Sequence, residues 1–100
     1  MNDIGELKNV IRRLHGCEAD HVRTMPVTES FKGQIVWQGE VEVFSLRGHP
    51  KAKTCYAWAH ATGEDDQGKR YVAVLELPPV DSAQTAVRAA IVDEARNRRR

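Results

Sequence analysis

A two-layer α+β domain is the fold this sequence predicts: a four-stranded antiparallel meander with an N-terminal and a C-terminal helix on one face, in the order α-β-β-β-β-α. Three observations predict it. Residues 34–46, QIVWQGEVEVFSL, alternate with period two for over a dozen positions, as a strand half-buried in a sheet does. A stretch with helical spacing of apolar residues stands at each end of the chain, at 3–15 and 82–96. Short links join the strand-like stretches, which favours antiparallel neighbours.

One hundred residues make one domain, assigned to 1–96, with 97–100 as a basic tail. A net charge of +1 gives no bulk attraction to nucleic acid or membrane. Two cysteines, Cys17 and Cys55, make no disulfide framework and suit reduced thiols in a cytosolic protein. The N-terminus, MNDIGELKNVIRRL, is charged and amphipathic. It lacks the apolar core of a signal peptide, and no apolar run approaches the roughly 20 residues of a spanning helix. The expectation is a cytoplasmic protein.

In the first helix, Ile4, Leu7, Ile11 and Leu14 recur at helical spacing and Val10 widens the stripe. Asn2 or Asp3 serves as the N-cap, and Gly16 as a left-handed stop. Residues 20–29 form a weaker strand, and Pro26 assigns it to a sheet edge because proline donates no ladder hydrogen bond. Residues 30–33 turn into the central strand. After it, RGHPK makes a tight connection with Gly48 and Pro50. Residues 52–60 alternate again, 61–69 form a polar loop, and 70–77 are the last strand. Pro78 and Pro79 end it. Asp81 or Ser82 then caps the final helix, whose inner stripe is Ala83, Ala86, Val87, Ala90, Ile91 and Ala95.

The faces follow from alternation. Cys55, Ala57, Ala59 and Ala73 leave room for an alanine-rich helix, so both helices are placed on their side. Trp37, Val41, Val43, Leu75 and Leu77 are expected to fill the rest of that layer, and Ile35 points the same way as Trp37. With Leu46 opposite Ala52, Glu42 faces Tyr56, Glu40 faces Trp58 and Gln38 faces His60. The next hairpin sets Val72 beside Trp58 and Val74 beside Tyr56. A one-residue slip would reverse every face assignment in the strand. In this register the uncovered face holds Val36, Phe44, Tyr56, Trp58, Val72 and Val74, rimmed by Glu40, Glu42, His60 and Glu76. That is more apolar area than a monomer ordinarily exposes.

Tyr56, Trp58, Val72, Val74, Glu40 and Glu42 are therefore the candidate protein-contact residues, with a homodimer as the expected partner. Stacking of single-stranded bases on Tyr56 and Trp58 fits less well, since three glutamates on that face would repel phosphates. Arg47, His49, Lys51 and Lys53 gather positive charge at the RGHPKAK turn. They form the alternative site for an anion or, together with the ARNRRR terminus, nucleic acid. His15, Cys17 and His21, with Asp20 or Cys55, carry metal-ligand chemistry, but their spacing fits no standard site. No metal and no cofactor is assigned. His60 beside Glu40 would make a general base if a pocket enclosed the pair. The chain has no nucleophile elbow, phosphate-binding loop or dinucleotide fingerprint. Cys55, among alanines, is expected to stay protonated and inert.

Two stretches, VWQGEVEVFSLRGHPKAKTCYAW at 36–58 and LPPVDSAQTAVRAAI at 77–91, resemble a family of short uncharacterised bacterial proteins. The resemblance covers over a third of the chain. It implies a bacterial cytoplasmic origin and transfers no site residues. The helix–sheet–helix order also resembles double-stranded-RNA-binding domains. Those carry a lysine cluster at the start of the last helix, where this chain reads DSAQTAVR. A non-enzymatic binding or assembly module is the function class these observations favour over a small enzyme.

Overall fold

The computed structural model describes residues 4–61 and 69–98; the side chains at 60–61, 69–70 and 94–98 lie outside that description. The elements are α1 (Ile4–His15), β1 (Glu18–Phe31), β2 (Gln34–Arg47), β3 (Thr54–Ala61), β4 (Lys69–Leu75) and α2 (Ala83–Arg98). The four strands form one antiparallel sheet in the order β1-β2-β3-β4. The α+β class, the element order and the meander are as the alternation predicts. No helix among the described residues is long and apolar enough to cross a membrane.

Local chemistry accounts for the boundaries. Gly16, at φ 67°, ends α1 with its N–H on the Arg12 carbonyl. Ser82 caps α2: its Oγ accepts from the Thr85 N–H, while Thr85 Oγ1 accepts from the N–H groups of Asp81 and Ser82. That reciprocal pair is a capping box with threonine in the third position. Pro26 sits in β1, an edge strand, where its missing donor costs no ladder bond. Between Phe31 and Gln34, Lys32 (φ 53°) and Gly33 (φ 78°) make a two-residue turn with both central residues left-handed. Its twist matches that of the flanking strands.

The β3–β4 register is the expected one, with Tyr56 opposite Val74 and Trp58 opposite Val72. The β2–β3 register is shifted by one. Glu42 lies opposite Ala57, Val43 opposite Tyr56 and Phe44 opposite Cys55. The cause is the connection. His49 Nδ1 accepts from the N–H groups of both Lys51 and Ala52, and Ala52 turns into the core. Pairing therefore resumes one residue later, with the Leu46 N–H on the Lys53 carbonyl.

That shift redraws both faces. Leu7 and Ile11 of α1 pack with Cys17, Ala19, Phe44, Leu46, Cys55 and Ala57, flanked by Tyr71, Ala73 and Leu75. Ala83, Ala86 and Val87 of α2 pack with Val27, Val41, Val43, Tyr56 and Trp58, flanked by Trp37, Val72 and Val74. The placement of α2 beside α1 is thus corrected: the helices lie on opposite faces, with the sheet between them. Size complementarity explains the choice. Large residues of α1 fill the small-residue face, and alanines of α2 leave room for the aromatic face, so each layer interdigitates.

Two bulges turn side chains over. Val22 is unopposed between His21 and Arg23, and Val36 is unopposed between Trp37 and Ile35. Trp37 therefore stays on the α2 side while Ile35 turns to the other face and stands exposed. Gly39 is the gap over which the Trp37 ring lies; a Cβ there would meet the ring at 3.1 Å.

Candidate interaction surface

The six residues assigned to protein contact do not share an open face. Tyr56 and Trp58 are only 6% and 3% exposed. Val72 and Val74 are half-buried with them beneath α2. The chain supplies its own cover for the aromatic face, so the premise that this face is open is corrected. The Trp37 and Trp58 rings meet edge to face, with centroids 5.7 Å apart. Tyr56 donates its hydroxyl proton to the Glu76 carboxylate. Burial, and then that carboxylate, push the phenol well above its ordinary range.

Glu42 lies on the other side of the sheet, opposite Ala57, and Glu40 is exposed. Glu42 Oε1 is 2.7 Å from His21 Nε2 and accepts from the Thr24 hydroxyl as well. His21 also packs edge-on against Phe44. No direct sequence signal marks this cluster, because it forms across the β1–β2 pair at the Val22 bulge. Its position explains it. His21 precedes the Val22 bulge and Thr24 follows it, so one carboxylate clamps both sides of the irregularity. Thr24 donates to Glu42 and not to the imidazole, which is not the relay a nucleophile would need. The pairing of Glu40 with His60 involves a side chain outside the described residues.

The RGHPKAK turn is a built structure. Arg47 donates to both oxygens of Asp20, at 2.7 and 3.2 Å. This holds the Asp20 carboxyl below its usual range and raises Arg47. The N–H groups of Lys51 and Ala52, which an anion would need, are taken by His49. Lys51 and Lys53 are exposed. His15, Cys17 and His21 go to three different partners: the Ala73 carbonyl, the α1 core and Glu42. Among the described residues, no three metal-ligating side chains converge.

Cys17 and Cys55 are both free and buried. Burial, reinforced by Cys17, pushes the Cys55 thiol up to about 12. Burial and then Glu18 raise Cys17. A thiol needs its anion to react. Both should therefore resist a thiol-specific reagent at neutral pH in the native protein and react in urea; rapid native labelling of Cys55 would show that this face opens.

The surface that stands open is the β1–β2 arm. β2 pairs with β3 only over residues 42–45, so among the described residues 34–41 have a strand partner on the β1 side alone. The arm projects past the point where the hairpins part. At its tip Phe31 is 64% exposed, Ile35 61% and Val36 48%. The Lys32 ammonium lies 5.4 Å from the Phe31 ring centroid. The arm is held by α2: Gln84 Nε2 donates to the Thr28 carbonyl at 2.9 Å and to Glu29 at 2.6 Å, and Arg88 lies 3.4 Å from Glu29. Gln84 and then Arg88 hold the Glu29 carboxyl below its usual range.

Alternation alone makes 30–33 a turn and sets Ile35 on the same face as Trp37. The available signal was FKGQI, a two-residue turn with a large apolar residue at either end. No family model, no curated protein and no solved structure matches this chain.

Proposed function

We propose that this domain is a non-enzymatic assembly module that makes protein contacts through the tip of the β1–β2 arm. The observation that carries it is the exposure of Phe31, Ile35 and Val36 around the two-residue turn at the tip of the β1–β2 hairpin. Scattered exposed apolar residues are ordinary, but three within six positions concentrate apolar surface at one hairpin tip, with Phe31 on one face and Ile35 on the other. A preformed hairpin also loses little conformational freedom on docking. Charge speaks for protein over nucleic acid. Over 23–41 the arm carries two basic residues, Arg23 and Lys32, and two acidic ones, Glu29 and Glu40, and so has no surplus charge for phosphates. The two free, buried thiols support a reducing, cytoplasmic setting. A weak homodimer is the form of assembly favoured, because so small a patch offsets little more than the cost of association.

Sedimentation velocity over a concentration series tests this. The wild type is expected to associate weakly as concentration rises. The variant Phe31→Ser/Ile35→Ser should stay monomeric over the same range, with stability within about 1 kcal/mol of wild type, as for exposed positions. A wild type that is monomeric at the highest concentration, or a variant that associates equally, would refute the proposal.

A further inference from the structure

The arm tip is one half of a contact, and a second part of the same molecule has the form of the other half. Beside α2 lies an open groove of about 630 Å³, floored by Pro79, Val80, Ala89 and Val92, with Arg88 and Asp93 at its rim. Val80 and Ala89 belong to the packed layer beneath, whereas Val92 stands half exposed. The groove is large enough for a bulky side chain and mainly apolar, as binding concavities are.

We infer that the groove beside α2 receives the arm tip of a second copy of this chain, with Phe31 on the apolar floor and Lys32 at Asp93. This rests on the assembly role of the arm proposed above. Two features select a second copy. Gln84 and Arg88 hold the arm of the same chain at Thr28 and Glu29. Among the described residues none of the arm lines the groove, and Phe31 of the same chain stands 64% exposed. The chain's own tip thus does not fill the groove. The charges also match. The tip carries one cation, Lys32; the rim carries the exposed carboxylate of Asp93, while Arg88 is already engaged by Glu29. A knob on one surface and a complementary groove on another give a reciprocal dimer if the geometry closes, or a head-to-tail chain if it does not.

Charge exchange between exposed positions tests this without disturbing the core. Lys32→Asp and Asp93→Lys should each weaken self-association at least tenfold by placing like charges together. Their equimolar mixture should regain wild-type association, since both contacts of the mixed pair then join opposite charges. Val92→Asp should weaken association to a similar extent, with an unchanged melt. If Phe31→Ser/Ile35→Ser abolishes association but the Asp93 and Val92 variants associate like wild type, the tip binds elsewhere; the groove assignment then falls while the role of the arm stands. A mixture no more associated than its separate components also overturns it. A monomeric wild type overturns both.

Discussion

Replacing Trp58 with alanine should destabilise the domain by about 3–5 kcal/mol, the range for truncating a buried large aromatic. Trp58 is almost wholly buried, opposite Val72 on the sheet and edge to face with Trp37. Its loss leaves a cavity under α2, and the helix cannot refill it because the residues it presents there are Ala83, Ala86 and Val87. The aromatic pair adds about 0.5–1.5 kcal/mol beyond area burial, and that is lost too. Trp58→Phe, which keeps most of the volume, should cost much less. Urea denaturation would read both changes as a fall in midpoint at constant slope. A Trp58→Ala protein as stable as wild type would mean that α2 does not cover this face.

Phe44→Ala tests the other side of the sheet and should cost a similar 3–5 kcal/mol. Phe44 is fully buried, is among the largest such side chains, and packs in the layer of Leu7 and Ile11 with His21 against its edge. Trp58 and Phe44 serve separate layers, so their effects should add. Together they remove about 6–10 kcal/mol, comparable with the whole stability of an ordinary domain. The double variant is therefore expected not to fold, while each single variant keeps a cooperative, lowered transition. A double variant no worse than either single one would place both rings in one core.

The contrast between these two rings shows what the sequence makes legible. Alternation located β2, β3 and β4, and it paired Val72 and Val74 with Trp58 and Tyr56 correctly. The tight turn after Leu46 did not declare its length. His49 acts there as a side-chain acceptor for two backbone donors, and one extra residue enters the connection. In a sheet that single residue exchanges the faces. Phe44 went inside, and Val41 and Val43 joined Tyr56 and Trp58. Small residues on a sheet suggest an alanine-rich helix as cover, whereas the structure matches small to large on each side.

The candidate site was hidden by a related effect. Ile35 and Trp37 are two apart and alternate as one face, and only the Val36 bulge separates them. Bulges leave little trace in composition. The caps, by contrast, are short-range chemistry and were readable: Gly16 and Ser82 do what their residue types predict.

We propose contact through the arm and not through the aromatic face. Backbone amide chemical shifts of the wild type, followed from dilute to concentrated solution, test it most directly. The shifts should move at residues 31–36 and stay fixed at 56–58 and 72–74. The largest movements at Tyr56, Trp58, Val72 or Val74, with none at the arm tip, would contradict it.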